Sequence, residues 1–357
     1  MTPYRTLAAL AVAVAAGVAL LVYAPGEPET APAARTGLTA AWPRAQRADL
    51  PGNLRDGPIY HPGIFLDART SVGTAPSPDG AAERLLVRNA DETVRELRRR
   101  PQSGNPEFGA FTVSGEDLVW TESADGSPME IWTARTSGGP ARRLTADTGN
   151  AVFFGSQWDL VLAEGRVHWA AAAPEGRPVT EIRSVALTGG KVAVREEPGT
   201  WALTAWPWLT NGGGDQSGTS VLRNMTANRD TPVQTSGPEL ITCSAAWCRV
   251  LVMNGDGLAR IDLMHPDGSA RRRVAGSAAG AAVPDVAVLD RFELLSETGP
   301  DSDLTGTAGL LIYDLETDRT VDVSPAVDGV FSRNGVVWWA TGDQDSLIWH
   351  TLDLRTV

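Results

Sequence analysis

Residues 249–264 read RVLVMNGDGLARIDLM, which is an apolar strand, a polar turn and a second apolar strand. The turn, NGDG at 254–257, supplies residue types that adopt the positive φ angles of short hairpins. Similar units recur along the chain. The last copies keep a constant period, because Val250, Leu294 and Trp338 follow one another at intervals of 44 residues. The stretch is therefore one unit of an internal repeat.

A repeat of about 40–50 residues that is built from short strands is typical of β-propellers, which have one repeat per blade. The sequence predicts an all-β fold, a seven-bladed β-propeller of four-stranded antiparallel blades. Six or eight blades are the alternatives, because the fourth copy matches poorly. The inner strand pairs are predicted at residues 70–75 and 84–89, 117–123 and 130–136, 166–172 and 181–187, 205–210 and 219–225, 249–254 and 258–264, 291–297 and 309–315, and 336–341 and 347–354. Outer strands are predicted at residues 93–98, 142–145, 191–195, 231–235, 271–275 and 320–323.

The last copy has no outer strand of its own, so closure of the ring requires a strand from elsewhere in the chain. Residues 59–66 (IYHPGIFL) are the candidate, with the N-terminal segment completing the C-terminal blade. Pro62 fits an outermost strand, because an edge position tolerates a missing N–H donor. The propeller is accordingly predicted to span residues 55–357.

The N-terminus predicts a membrane anchor. Residues 7–24 form an uncharged apolar span that follows Arg5 and is just long enough to cross a bilayer as a helix. Residues 1–24 are therefore predicted to be a single-pass signal anchor that places the rest of the chain outside the cytoplasm. Cleavage after Ala24 would give a secreted protein instead, although Pro25 should hinder it. Residues 25–54, rich in Pro and Ala, are expected to be a disordered tether.

The chain has two cysteines, Cys243 and Cys248, which flank a tight loop between two predicted strands. In an oxidising compartment they are predicted to form a disulfide, which would stabilise the fold by about 2 kcal/mol. Two buried thiols are the alternative.

The formal net charge of -12 argues against a nucleic-acid partner, because phosphate binding requires a basic surface. Runs of arginine at 98–100, 142–143 and 271–273 lie on or beside predicted outer strands. Such charges discourage pairing between exposed sheet edges. Contact with anionic headgroups or wall polymers is the alternative interpretation of these runs.

One repeat resembles a known family. Residues 130–135 read EIWTAR and are followed by Gly138-Gly139 and by RRLT at 142–145. This pattern is similar to the repeat of TolB-type propellers, whose turn is also matched by SPDG at 77–80. The resemblance implies a propeller fold and an extracytoplasmic binding module without a reaction of its own. The chain departs from the family by its predicted anchor and by lacking a recognisable extra N-terminal domain.

No local motif for catalysis or metal binding is found in the sequence. The four histidines, His61, His168, His265 and His350, are far apart in the chain and are interpreted as hydrogen-bonded blade residues. The GSQW stretch at 155–158 lacks the closing glycine of a nucleophile elbow. The glycine-rich loop 212–218 is not a phosphate-binding loop, because it has no Lys-Ser/Thr pair. The acidic stretch 301–306 begins like a calcium-binding loop, but the twelfth position counted from Asp301 is Ile312, where a Glu would be required. The sequence thus predicts no catalytic residue, metal or cofactor.

Three tryptophans and an acid form the candidate ligand site. Trp201, Trp206 and Trp208 crowd the start of the fourth copy, beside a glycine-rich loop that contains Asp215. Aromatic side chains at the mouth of a propeller stack on sugars or anchor peptides. Packing of the tryptophans between blades is the alternative.

These features lead to one main functional prediction. The protein is expected to be a membrane-tethered, extracytoplasmic scaffold that binds a protein or peptide of the cell envelope. The alternative is an envelope hydrolase or lyase that acts on a carbohydrate or peptide with carboxylates from several blades, which would face the channel. A third interpretation is an inert spacer without a concave pocket.

Overall fold

Alternation of apolar and polar side chains between short turns produces β-strands along most of the chain that the computed structural model describes, which is residues 35–174, 178–212, 218–343 and 345–357. Before the first blade, the chain forms strand β1 (Thr36–Gly37), the one-turn helix α1 (Leu38–Ala41) and strand β2 (Arg47–Pro51). Thr36–Val357 is one compact unit.

The remaining elements follow in chain order. Blades one to three contain β3 (His61–Phe65), β4 (Ser71–Pro76), β5 (Ala82–Arg88), β6 (Val94–Pro101), β7 (Glu107–Ser114), β8 (Asp117–Ala124), β9 (Ser127–Arg135), β10 (Gly138–Thr145), β11 (Asn150–Ala151), β12 (Val161–Ala163), β13 (Arg166–Ala172), β14 (Val179–Ala186) and β15 (Ala193–Pro198). Blades four and five contain β16 (Ala202–Ala205), β17 (Trp208–Thr210), β18 (Val221–Asn224), β19 (Arg229–Pro232), β20 (Glu239–Cys243), β21 (Cys248–Asn254), β22 (Gly257–Met264) and β23 (Arg272–Gly276). Blades six and seven contain β24 (Ala279–Ala281), β25 (Phe292–Glu297), the short helix α2 (Ser302–Thr305), β26 (Ala308–Asp314), β27 (Arg319–Val327), β28 (Val330–Arg333), β29 (Val336–Thr341), β30 (Ile348–Asp353) and a 3-10 turn (Leu354–Thr356).

The strands form seven sheets in which strands that follow each other along the chain are mostly antiparallel neighbours. In the third sheet, β11 and β12 both pair with β13, so two short strands share the first position. First strands of adjacent blades contact one another, β3 with β7, β7 with β12 and β28 with β3, and thus surround the central channel. This topology confirms the predicted all-β, seven-bladed propeller with four-stranded antiparallel blades.

The strand pairs predicted as inner are in fact the second and third strands of each blade. The innermost strands were missed, because several of them are too short to display alternation; β12 and β24 have 3 residues each. In blade four, the predicted strand 205–210 is interrupted. β16 ends at Ala205 and β17 begins at Trp208, so Pro207, which cannot donate to a ladder, lies in the turn between them.

Strand β2 closes the ring. It pairs antiparallel with β30, from Arg47 opposite Leu352 to Pro51 opposite Ile348, and supplies the fourth strand of blade seven. An N-terminal segment therefore completes the C-terminal blade, as predicted, but residues 47–51 form it instead of residues 59–66. Because β2 lies within the segment 25–54 that we expected to be a tether, the ordered body begins before residue 55. Strand β1 adds to the outer edge of blade six, parallel to β27.

The segment predicted to close the ring forms β3, the first strand of blade one. Pro62 lies on an edge strand as expected, but this edge faces the channel, and proline is tolerated equally at either edge of a sheet. Gly73 on β4 allows the close approach of β3, because a Cβ atom there would lie 2.2 Å from the carbonyl oxygen of His61.

Tryptophans fill the wedges between blades. Trp120 on β8, Trp169 on β13 and Trp338 on β29 all belong to second strands, and none is more than 2% exposed. Trp338 packs against Phe65 of the next blade, with 5.3 Å between the ring centroids. Burial of such side chains, worth about 1.5–3 kcal/mol each, holds adjacent sheets side by side.

The predicted membrane anchor at residues 7–24 lies outside the described residues, as do residues 25–34 of the expected tether. In the part of the chain that the structure describes, no helix has the length and apolar character needed to cross a bilayer.

Candidate functional site

A segment of blade three crosses the central channel. Residues 152–160, which we call the crossing segment, connect β11 to β12. Ser156 Oγ donates a hydrogen bond to Asp285 Oδ1 of blade six at 2.6 Å, and the Gln157 N–H donates to Asp285 Oδ2 at 3.2 Å. Arg333 Nη1 of blade seven donates to the Ser156 carbonyl oxygen at 3.1 Å. Because blades six and seven lie across the ring from blade three, these bonds tie opposite sides of the channel together.

Turns within the crossing segment fix its polar groups. The Phe154 N–H donates to Asp159 Oδ1 at 2.9 Å, and the Trp158 N–H donates to Ser156 Oγ at 3.0 Å. Gly155 adopts a φ of 76°, a conformation that glycine reaches without strain. The hydroxyl of Ser156 and the carboxyl of Asp159 are therefore held in place by backbone groups of the same segment.

Two cavities adjoin the crossing segment. The larger cavity has a volume of about 460 Å³ and an apolar wall that includes Phe154, Leu203 and Val283. Its wall also contains the polar residues Ser156, Thr204, Thr210, Thr242, Arg249 and Asp285. The smaller cavity has a volume of about 300 Å³ and is bordered by Arg333. Trp158 lines both cavities, so the crossing segment lies between them.

Two carboxyl groups near the axis bind protons more tightly than usual. Burial raises the pKa of Asp159 to about 6, with a smaller contribution from the nearby charge of Asp285, while the Phe154 N–H and Arg333 oppose the increase. Burial also raises the pKa of Asp285, against the hydrogen bonds from Ser156 and the Gln157 backbone. Carboxyl groups with raised pKa values in a cleft are suited to acid–base catalysis near neutral pH.

The raised pKa of Asp159 predicts a pH-dependent stability. The contribution of Asp159 to the free energy of unfolding is fully present below its pKa in the unfolded chain, near 4. It is lost as the pH rises through its pKa in the folded protein, about 6. We expect the free energy of unfolding of wild type to fall between pH 4 and pH 7 by on the order of 2–3 kcal/mol more than that of D159N. Urea denaturation at several pH values measures both slopes, and parallel curves would contradict the prediction.

A buried ion pair positions Asp285. Arg249 of β21 and Glu293 of β25 are 44 residues apart, occupy adjacent blades and are joined through Arg249 Nε and Glu293 Oε1. Arg249 Nη2 also donates to the carbonyl oxygens of Asp285 and Val283, at 2.8 and 3.2 Å. The Ala287 N–H donates to Glu293 Oε2 at 2.8 Å. The pair therefore holds the backbone on both sides of Asp285.

The predicted ligand residues do not meet at either cavity of the crossing segment, as far as the structure describes them. Trp201 is buried in the wedge between blades three and four, and Trp208 packs in the wedge between blades four and five. Trp206 stacks on His168, with 3.6 Å between ring centroids, and lines a separate cavity of about 200 Å³. Asp215 lies outside the described residues.

The predicted disulfide between Cys243 and Cys248 is confirmed. The two residues face each other at the end of the β20–β21 hairpin. The Thr204 hydroxyl donates to the Cys243 carbonyl oxygen at 3.1 Å, which links this hairpin to blade four at the wall of the larger cavity.

Three of the four histidines, His168, His265 and His350, form hydrogen bonds. His168 and His265 bond to backbone carbonyl oxygens, and His350 bonds to Asp49 and Thr341. Within the described ranges, no group of three His, Cys, Asp or Glu side chains is arranged to hold a metal ion.

The arginine runs are largely engaged in ion pairs. Arg98 and Arg100 both bind Glu122, at 3.0 and 2.8 Å, and Arg271 binds Asp262 at 2.8 Å. These pairs lower the net positive charge that the runs present to an anionic surface, so they favour the interpretation of the runs as protection of sheet edges.

The residues that meet at the channel were not predicted from the sequence. The GSQW stretch at 155–158 lacks the pattern of a nucleophile elbow, yet it forms the centre of the crossing segment. Asp285 carried a usable signal, because it is the one charged residue in the apolar run AAVPDVAV at 281–288. A carboxylate in such a run is buried on folding, which is costly, so its presence indicates a structural or functional role.

Comparison with known proteins identifies the fold. No family model matches the chain, and no curated protein matches it. A prolyl endopeptidase structure shares 13% identity at a TM-score of 0.53, with 88% of this chain and 49% of that chain covered. A puromycin hydrolase structure shares 15% identity at a TM-score of 0.52, with 91% and 56% covered. The chain thus spans about half the length of these two proteins.

A third similar structure is an oligogalacturonate lyase in complex with manganese. It shares 11% identity at a TM-score of 0.50, and the alignment covers 87% of this chain and 98% of that chain. The described residues of this chain do not fit manganese, because none of their His, Cys, Asp and Glu side chains form a group of three. We therefore derive no step through a metal.

The predicted TolB-type resemblance holds only at the level of the propeller fold. A TolB structure from Acinetobacter baumannii is similar at 9% identity, but its TM-score of 0.40 is too low to support membership of that family.

The main functional prediction, a scaffold without a reaction, is wrong by this comparison. Three propeller structures that are similar at a TM-score of 0.50 or more bear the names of a peptidase, a hydrolase and a lyase, which agree with the alternative instead. At 11–15% identity the likeness itself establishes the fold alone.

Proposed function

We propose that this protein is an extracytoplasmic hydrolase or lyase that cleaves a carbohydrate or a peptide by general acid–base chemistry in the larger cavity. One observation carries the proposal. Asp159 lies in the crossing segment of blade three, and Asp285 of blade six binds that segment and lines the cavity; both carboxyls have raised pKa values. Both reaction classes require a group that takes up a proton and returns it at another step.

Asp285 is the residue that exchanges a proton with the substrate, because it lines the cavity. A raised pKa favours the protonated carboxyl, which can protonate a leaving oxygen or nitrogen. Once ionised, the carboxylate is stabilised by the hydrogen bonds from Ser156 Oγ and the Gln157 N–H. The charge of Asp285 also makes a small contribution to the raised pKa of Asp159, so the ionisation of Asp159 responds to that of Asp285.

The wall of the larger cavity is suited to a substrate with an apolar face. Phe154 and Trp158 present aromatic rings, which pack against a sugar ring or an apolar side chain. Thr204 and Thr210 add hydroxyl groups that can orient a polar edge of the substrate.

The extracytoplasmic location is part of the proposal. The apolar span at residues 7–24 supports an N-terminal anchor, and the disulfide between Cys243 and Cys248 supports an oxidising compartment.

Replacement of the proton-exchanging carboxyl tests the function. In full-length protein, D285N is expected to lower turnover at least about a hundredfold, because an amide cannot exchange the proton. Mass spectrometry of products from neutral oligosaccharides, uronate oligosaccharides and peptides measures turnover. The matched variant D256N, in an exposed hairpin turn, should retain wild-type turnover. Absence of product from every substrate with wild type, or equal turnover of D285N and wild type, would contradict the proposal.

A further inference from the structure

Arg333 is a partly buried cation whose hydrogen bonds to the described residues all go to backbone carbonyl oxygens. Its Nη1 donates to the carbonyl oxygens of Phe111 and Ser156, at 3.4 and 3.1 Å, and its Nη2 donates to that of Gly155 at 3.4 Å. Within the described residues it forms no ion pair, and the carboxylates of Asp159 and Asp285 act on it only through longer-range electrostatics. A cation held away from water without a carboxylate partner is costly and calls for an explanation.

Other arginines of this protein show which edge of the guanidinium group binds a carboxylate. They present Nε and Nη2 side by side to one carboxylate, which is the bidentate geometry preferred by guanidinium groups. Examples are Arg223 with Asp230, at 2.7 and 2.8 Å, Arg291 with Asp314, at 2.8 and 2.8 Å, and Arg355 with Asp353, at 2.8 and 2.7 Å. In Arg333, Nε makes no hydrogen bond to a described residue and Nη2 makes one, so this edge has donors to spare.

The smaller cavity lies at this guanidinium and has the composition of a small-ligand site. Its volume is about 300 Å³, at the lower end of the range for ligand pockets. Its wall is about half apolar, and no acidic side chain of the described residues lines it. The second arginine on the wall, Arg355, is already neutralised by Asp353. The cavity therefore combines one unpaired cation with an apolar enclosure that includes Ile64, Phe111, Val113, Leu160 and Leu289.

We propose that the smaller cavity binds the carboxylate of a small apolar acid, with Arg333 as the partner of that carboxylate. The apolar wall receives the hydrocarbon part of the ligand, and the Nε and Nη2 edge receives the carboxylate. The acid comes either as a free compound or as the C-terminal residue of a peptide, and both sources share this chemistry. The site is separate from Asp285 and does not depend on the proposed enzymatic activity.

Matched acids and amides test the proposal. In isothermal titration of full-length protein, phenylacetate is expected to bind at least about tenfold more tightly than phenylacetamide, because only the acid forms charge-assisted hydrogen bonds. N-acetylphenylalanine and its amide form the second pair, which represents a peptide C-terminus. Tighter binding of phenylacetate than of N-acetylphenylalanine indicates a free acid, and the reverse order indicates a peptide. Equal binding of acid and amide in both pairs, or no binding of either acid, overturns the proposal.

Two variants locate the site. R333Q is expected to lose at least about tenfold in affinity for the acid, whereas R319Q, which removes an exposed arginine of β27, should bind as wild type does. Because Arg333 also holds the crossing segment, V113F provides an independent check: it reduces the volume of the cavity and leaves Arg333 in place. Loss of acid binding in V113F supports the site, and retained binding in folded R333Q or in V113F overturns it.

Discussion

Removal of residues 1–51 is expected to abolish the cooperative unfolding transition of the protein, because this deletion removes the strand that closes the propeller. Without β2, blade seven keeps only β28, β29 and β30, and the outer edge of β30 becomes an unpaired sheet edge. The deletion also uncovers the cluster in which Ala48 and Leu50 pack with Trp338 and Trp349. The loss is expected to be comparable with the whole stability of a typical domain, about 5–15 kcal/mol.

A shorter deletion provides the control. Removal of residues 1–35 leaves Thr36–Val357, which is one compact unit, and should preserve the midpoint of urea unfolding. Tryptophan fluorescence reports the transition, since tryptophans such as Trp338 and Trp349 lie next to the closing strand. The variant L50D tests the same point without truncation, because it places a charge in this apolar cluster. If the protein lacking residues 1–51 unfolds with the same midpoint as the control, β2 does not close the ring.

The middle strands of the blades were predictable because their sequence pattern is strong. The predicted pair at 249–254 and 258–264 matches β21 (Cys248–Asn254) and β22 (Gly257–Met264) closely, since both strands are covered by neighbouring blades and separated by a distinct turn. The first strands were not predictable. They face the channel on one edge, and small residues such as the AGA of β24 give no periodic signal. The closing strand was predicted at residues 59–66 instead of 47–51, because a proline such as Pro62 is equally compatible with the inner and the outer edge of a blade.

Most of the candidate site could not be predicted from the sequence, because its residues are far apart in the chain. Ser156 meets Asp285 across 129 residues of chain, and Arg333 meets Ser156 across 177 residues. The repeat period places Arg249 and Glu293 at equivalent positions of adjacent blades, but it does not reveal that both side chains enter the same wedge. An isolated acid in the apolar run around Asp285 was the one local signal of the site.

The variant E293A is expected to destabilise the protein by about 3–5 kcal/mol, because it leaves the charge of Arg249 buried without a partner. Arg249 and Glu293 are 4% and 0% exposed, so water cannot replace the lost carboxylate. The Ala287 N–H loses its acceptor as well, and the backbone that carries Asp285 is freed on one side. Urea denaturation measures the free energy of unfolding, and a value for E293A within about 1 kcal/mol of wild type would contradict this role of the pair.

Two further variants separate burial from charge. Glu316 binds Arg291 at 2.7 Å but is 67% exposed, so E316A should cost less than about 1 kcal/mol. The double variant R249M/E293L removes both charges and fills the same wedge with apolar atoms. It is expected to be more stable than E293A. The carbonyl oxygens of Val283 and Asp285 lose the Arg249 donor in the double variant, but no buried ion is left without a partner. If R249M/E293L is instead as unstable as E293A, the cost arises from the lost bonds to the backbone around Asp285, and the ion pair acts chiefly as a clamp on the proposed catalytic acid.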